Sequence, residues 1–476
     1  MKRKLFLLLL FLPTLLHAQN NPLPTKAQVE WQKQETYAFI HFGQNTFNDL
    51  EWGYGDADPK NFNPANLDVE QWVRILKEAG MKSVIITAKH HDGFCLWPSK
   101  YTDYTIAASP YKMGKGDIVK EVADACRKYG LNFGVYLSPW DRHQASYGTE
   151  EYVDYYMKQM TELLTNYGPV TEVWLDGANG GDGYYGGARE MRQIDRRTYY
   201  NYPKIFELIH SLQPNAVIFS DGGPDCRWVG NEAGVAGETN WSFLRIGDVY
   251  PGYPNSAELT VGHKDGDKWV PAECDVSIRP GWFYHEREDS QVRTPEQLID
   301  LYLKNVGRNS TFLLNVPPNK DGRISPVDSL SLIGFKALKD KMFADNLFDG
   351  QKAEASSAVS KKDNAQNVLD KDYDTFWAAK ASDKTPTLTL TCKKPTKINM
   401  LVIQEYIPFG QSVAKFAAEY QTSGGTWLAL PVLEQTTTIG YKRILKFDAV
   451  TAKKFRLRII DSRGQVYINN VEAYLN

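Results

Sequence analysis

The sequence predicts an α/β chain: a (β/α)8-type barrel followed by an all-β jelly-roll sandwich. Three observations predict it. Between about residues 35 and 346, short β-branched and aromatic runs alternate with longer amphipathic stretches, the pattern of a parallel sheet covered by helices. The first five runs start at residues 37, 83, 132, 172 and 216, the rhythm of βα units with long loops. Near residue 349 helix periodicity stops, and short strand-like segments separated by turn residues take over. Polar residues close each of the first five strands, which favours a closed barrel over an open doubly wound sheet, and no GxGxxG follows the first strand.

The elements follow in order. Lys2, Arg3 and Lys4 precede the apolar run Leu5–Leu16, and Ala18 offers a small residue before Gln19, which reads as a signal peptide over residues 1–18. The run is too short for a membrane span, and the mature protein is expected in the periplasm or outside the cell. Residues 19–348 are assigned to the barrel. Its expected strands are Tyr37–Gly43, Ser83–His90, Asn132–Pro139, Glu172–Gly177 and Ala216–Asp221, with Asp275–Arg279 and Thr311–Val316 in a less regular second half. Asp68 is placed to cap a helix carrying Val69, Trp72, Val73 and Leu76 and ending at Gly80. Asp117–Tyr129 sets Ile118, Val122 and Cys126 four apart, with Gly130 as C-cap. Further helices are expected at 151–167, 202–212, 295–306 and 329–348. Residues 349–476 form the sandwich, with strand candidates at 387–391, 398–404, 414–421, 426–430, 442–447, 454–460 and 465–474.

Composition narrows the function. A net charge of −2 with scattered Lys and Arg excludes a nucleic-acid or membrane-surface partner, and no apolar run after the first twenty residues is long enough to span a bilayer. The 27 Tyr, 12 Trp and 21 Phe suit stacking on the C–H faces of sugars, though large α/β folds are also aromatic-rich. Cys95, Cys126, Cys226, Cys274 and Cys392 are odd in number and widely spaced, so they read as buried small hydrophobes rather than a disulfide or zinc framework.

The chemistry sits at the strand ends, where barrel enzymes place it. His41, the run Lys89-His90-His91-Asp92, Tyr136 with Trp140 and Asp141, Asp176 and Asp221 close five consecutive strands. A single such residue is more often a structural hydrogen-bonder; five that converge on one mouth point to a site. Three histidines also admit a metal reading, but paired spacings such as HxxxH are absent. Trp52, Trp97, Trp140 and Trp282 are placed to wall a pyranose. Glycosidic cleavage needs two carboxylates. Asp176, fixed between a hydrophobic strand and Gly177, is the expected nucleophile. For the acid/base, the residues by themselves leave Glu51, Asp221, Asp225, Glu232, Glu238 and Glu273 open.

The runs His41-Phe42-Gly43, Glu51-Trp52, Lys89-His90-His91-Asp92-Gly93-Phe94, Gly134-Val135-Tyr136-Leu137-Ser138 and Trp174-Leu175-Asp176-Gly177 together resemble glycoside hydrolase family 29, the α-L-fucosidases, across roughly residues 25–346. The resemblance implies a retaining mechanism with Asp176 as nucleophile, and a fucose pocket built from His41, Glu51, Trp52, His90, His91, Tyr136 and Trp282. Asp225–Glu232 resembles the subgroup that prefers α-1,3/4-linked fucose on branched glycans, which implies Glu232 as acid/base. The long Gly-, Tyr- and Arg-rich insert 180–200 departs from that pattern. Asn367–Trp377 resembles discoidin-like (F5/8 type C) modules, expected to buttress the barrel more than to bind glycan. Asp370, Asp372 and Asp374 fit either a structural calcium or a solvated turn; no other cofactor or metal is expected. The expected partner is a fucosylated oligosaccharide. The rival readings are a glycan-binding protein with an inactive barrel and a hydrolase for another sugar.

Overall fold

The computed structural model describes residues 21–187 and 189–476; the expected signal peptide lies outside them. Eight parallel strands close into a barrel in chain order: β1 (Thr36–Ile40), β2 (Ser83–Lys89), β3 (Asn132–Leu137), β4 (Glu172–Trp174), β5 (Val217–Ser220), β6 (Cys226–Trp228), β7 (Ala272–Ser277) and β8 (Ser310–Asn315), with β8 pairing back onto β1. Every residue of β2, β7 and β8 is buried, because helices cover the outside while side chains fill the inside. This explains why these strands read as continuous rather than alternating apolar runs.

The helices follow from their caps and faces. Asp68 accepts from the Gln71 amide at 3.0 Å and Asp117 from that of Lys120 at 2.9 Å, opening Val69–Glu78 and Ile118–Tyr129. Gly130, at φ 70°, ends the second in the left-handed conformation that glycine adopts without strain. Glu150–Asn166, Tyr202–Leu212, Pro295–Asn305 and Pro326–Met342 complete the shell. The last stops six residues short of the expected 348, and Phe348 instead packs into the second domain.

Two features depart from the regular βα repeat. Strand β6 follows β5 after only five residues, with no helix between them, and Phe219 pairs with Cys226. Three residues are too few to show a period, and the central one is Arg227. It is fully buried, donating to the Leu259 carbonyl at 2.9 Å and to Asn240 Oδ1 at 2.8 Å. A buried arginine satisfied by tertiary partners does not read as strand. Between β6 and β7 the chain forms the short helix Ser256–Val261 and a two-stranded ladder of Phe243–Leu244 with Lys268–Trp269, not a full crossover helix.

The second domain is an antiparallel sheet arrangement with its own apolar core around Trp377, Phe416 and Phe455. Four of the expected strands merge into two long ones, Thr387–Glu405 and Arg443–Ser462. Register shifts interrupt their shared ladder between Thr391 and Thr396 and between Ile398 and Met400, the irregularities by which one strand serves two faces of a sandwich. Lys352–Ala355 and Trp377–Ala378, both unforeseen, pair with the first long strand and with Tyr467–Tyr474. The domain docks on the barrel through buried polar groups. Gln411 accepts from the Ser242 amide at 2.7 Å and donates to the Asn240 carbonyl at 3.0 Å, Asn309 Oδ1 accepts from the Tyr441 amide at 2.7 Å, and Arg308 meets Glu434 at 2.8 Å. All five cysteines are buried and free.

Candidate active site

The barrel mouth holds a cavity of about 270 Å³, sized for one small polar ligand. His41, Trp52, His90, His91, Asp176, Glu232 and Trp282, all expected from sequence, line it together with Phe39, Trp174, Trp228, Asp221 and Asp275. Glu51 and Tyr136 stand behind the wall. Glu51 accepts from the Trp282 amide at 2.8 Å, the Phe283 amide at 3.2 Å and His285 Nε2 at 2.7 Å, so it fixes the loop that presents the Trp282 ring. Tyr136, fully buried, donates its hydroxyl to Asp176 Oδ2 at 3.0 Å.

Two of the expected tryptophans are placed differently. Trp97 is buried in the helix shell, its indole N–H donating to Glu162 at 2.9 Å. Trp140 is buried behind Trp52 and His91. Trp174 and Trp228 supply the walls instead. Trp174 is two residues before Asp176 and so faces inward with it, a strand alternation that the continuous apolar run concealed.

Asp176 is the most tightly held carboxyl of the mouth. Its Oδ1 accepts from the Ala178 amide at 2.7 Å, its Oδ2 accepts from Tyr136, and His91 Nε2 lies 3.8 Å from Oδ2. Burial raises its pKa, and the two hydrogen bonds pull it back. Gly177 beside it tolerates no side chain: a Cβ would lie 2.0 Å from Asp221 Oδ2. Asp221, anchored by the Gly252 amide at 2.8 Å, is pushed up to about 7 by burial and by the charge of Asp176. Glu232 sits exposed at the rim, with the Trp282 indole N–H donating to it at 3.4 Å. Partial burial raises its pKa, the Trp282 bond opposes this, and the charges of Asp176 and Glu51 add to the rise.

Burial holds all three histidines neutral, His41 and His91 at about 3 and His90 well below its usual value. Their partners fix the tautomers. Asn315 spends its amide hydrogens on Ser277 Oγ at 2.9 Å and the Trp282 carbonyl at 2.8 Å, leaving Oδ1 to accept from His41 Nδ1 at 2.9 Å. Ser138 donates to the Trp140 carbonyl at 2.6 Å, so it accepts from His91 Nδ1 at 2.7 Å. Asn45 Oδ1 accepts from the Gly53 amide at 3.0 Å, so its NH2 group faces His90 Nδ1 at 3.4 Å. The free Nε2 atoms are therefore acceptors on His41 and His91 and a donor on His90. Such an alternation suits hydroxyls, which both give and take hydrogen bonds, and neutral rings do not repel one another.

The α-L-fucosidase family profile matches residues 22–335, and the F5/8 type C domain profile matches residues 352–472. The chain belongs to the α-L-fucosidase family. It is 44% identical over 468 residues to α-L-fucosidase 1 of Arabidopsis thaliana, covering 96% of this chain and 88% of that protein. The crystal structure of a putative α-L-fucosidase from Bacteroides thetaiotaomicron superposes with a TM-score of 0.87 at 39% identity, covering 95% of this chain and 98% of that one. A Ruminococcus gnavus family 29 fucosidase, solved in complex with fucose, superposes with a TM-score of 0.85 at 32% identity, covering 96% and 95%.

Two further acidic groups of this α-L-fucosidase-family chain lie away from the cavity. Asp370 accepts from the Asp372 amide at 2.9 Å and from Thr375 Oγ1 at 2.7 Å, and Asp372 accepts from the Asp374 amide at 3.0 Å, so these carboxylates organise their own turn. Glu273 lies inside the barrel, not at the mouth. It accepts from Tyr37 Oη and, at 2.8 Å, from Trp174 Nε1, and it faces Glu172, which accepts from Trp31 Nε1 at 2.8 Å. Among the described residues, Glu172, Glu273 and Cys226 bring ligand-type atoms within 4.8 Å of one another. Burial raises both carboxyls, and the Tyr37, Trp174 and Trp31 donors hydrogen-bond the pair.

Proposed function

We propose that this glycoside hydrolase is a retaining exo-α-L-fucosidase that removes terminal α-1,3/4-linked fucose from branched glycans by double displacement. One observation carries the reading. Asp176, oriented by Tyr136 and Ala178, and Glu232, at the rim with a raised pKa, line the same one-sugar cavity. Asp176 attacks the anomeric carbon, the C–O bond to the leaving sugar breaks, and the Glu232 proton passes to the departing oxygen. Glu232 then takes a proton from water, whose oxygen displaces Asp176 and releases fucose. Burial raises both carboxyls, so position assigns the roles: Asp176 is held by two hydrogen bonds deep in the cavity, and Glu232 stands at the rim where the leaving sugar departs.

The pocket supports the glycone. His91 Nε2, an acceptor 3.8 Å from Asp176 Oδ2, is placed to take the hydrogen of a glycone hydroxyl beside the nucleophile. Phe39, Trp174 and Trp282 give the apolar surface that a C5 methyl requires. The same reading places the mature protein in the periplasm or outside the cell, where branched glycans are met. The linkage preference rests on the likeness of Asp225–Glu232 to its subgroup.

The test is hydrolysis of a Lewis-type trisaccharide and an aryl α-L-fucoside by wild type, Asp176→Ala and Glu232→Ala. Fucose released from the trisaccharide, little from the aryl fucoside, and loss in both variants is the expected result. Trisaccharide activity untouched by Glu232→Ala would remove the acid/base assignment. No fucose from either substrate with wild type would sink the activity.

A further inference from the structure

Strand β7 turns Glu273, Asp275 and Ser277 to the same face. Glu273 and Ser277 are fully engaged. Glu273 holds Tyr37 and Trp174, and Ser277 donates to the Gly281 carbonyl at 2.7 Å while accepting from Asn315. Asp275 between them is different. It is 4% exposed, lines the cavity beside Trp228, Trp282 and Glu232, and its Oδ1 has no hydrogen-bond partner. A buried polar atom left unpaired costs free energy with no structural return. Asp275 caps no helix and pairs with no cation; its own amide and the Trp228 side chain favour its charged form, yet Oδ1 stays unpaired.

We propose that Asp275 is a substrate-contacting residue of this site, its unpartnered carboxyl oxygen pairing with a ring hydroxyl of the bound glycone. The inference rests on the fucosidase reading above. Its chemistry suits a neutral, hydroxylic partner. Burial, then the charges of Glu273 and Glu232, push the Asp275 pKa up, against the opposing pull of its own amide and the Trp228 side chain. In either protonation state the carboxyl keeps an oxygen lone pair that a sugar hydroxyl can fill.

The experiment is a ligand-observed NMR titration of L-fucose and its 2-, 3- and 4-deoxy analogues against wild type, Asp275→Leu and Asp275→Asn, each checked for unchanged thermal unfolding. Asp275→Leu should bind L-fucose about tenfold more weakly, the loss of one hydrogen bond. It should bind two of the deoxy sugars with the same tenfold deficit, yet bind the third as wild type does, because that analogue lacks the contacted hydroxyl. Asp275→Asn, which keeps an oxygen acceptor at that position, should stay within threefold of wild type. L-fucose affinity unchanged in Asp275→Leu, or an equal deficit for all four sugars, would overturn the contact while leaving the fucosidase reading intact. Wild type that binds none of the four sugars would overturn both.

Discussion

Replacing Tyr136 by Phe removes one oxygen and nothing else. The ring remains packed on Trp174, with centroids 5.4 Å apart, and on His90 at 5.8 Å. What is lost is the 3.0 Å bond to Asp176 Oδ2. A hydrogen bond to a charged group contributes about 1.5–3 kcal/mol, and one pKa unit corresponds to about 1.36 kcal/mol, so the Asp176 pKa should climb by about one to two units. The bond favours the carboxylate, so its loss favours the acid. A nucleophile must be ionised, so the acidic limb of kcat/KM against pH should move upward by the same amount. On the plateau the rate should change less, because attack on the anomeric carbon discharges the carboxylate and the Tyr136 bond weakens as it does so. The assay is the pH profile of fucose release from the trisaccharide for wild type and Tyr136→Phe. A profile scaled down evenly at every pH, with its acidic limb unmoved, would refute the assignment of Asp176 as the ionised nucleophile steadied by Tyr136.

Three other perturbations follow from the same geometry. Glu51→Ala leaves the Trp282 and Phe283 amides and His285 without their acceptor; the Trp282 loop should loosen, raising KM about tenfold with a smaller change in kcat, read from steady-state kinetics. Lys89 and Asp141 form a fully buried ion pair at 2.9 Å, so Lys89→Met should destabilise the protein by about 3–5 kcal/mol in urea unfolding. The His91 pKa is lower in the folded state, about 3 against 6.5, so its stabilising contribution is complete above pH 6.5. That contribution is lost as pH falls toward 3, because only the unfolded chain takes the proton. Relative to wild type, His91→Asn should flatten the fall in stability between pH 6.5 and 4 by about 1.4 kcal/mol per pH unit, measured by denaturant unfolding at a series of pH values.

Much of the site was legible because barrel chemistry sits at strand ends, and strand ends announce themselves. His41, His90, His91 and Asp176 each interrupt an apolar run with a group that no core would hold. Trp174 and Asp275 were harder. Both lie inside runs whose two faces are buried, so the inward residue is not marked by contrast with an exposed neighbour. Glu273 misled in the other direction: a glutamate near the expected mouth proved to lie in the barrel interior, satisfied by Tyr37 and Trp174. Its partners come from β1 and β4, far away in sequence.

The sequence by itself determined the fold class, the helix caps at Asp68 and Asp117, the change of architecture near residue 349 and the identity of the nucleophile candidate. These are local or periodic properties, written in residues a few positions apart. The tertiary structure alone decided that β6 exists, that Glu51 and Tyr136 stand behind the pocket wall, which tryptophans line the cavity, and which nitrogen of each histidine is free. Each of those depends on a partner on another element, from about 40 residues away, as Tyr136 is from Asp176, to hundreds, as Glu51 is from the Trp282 loop and His41 from Asn315, and no local period records such a distance.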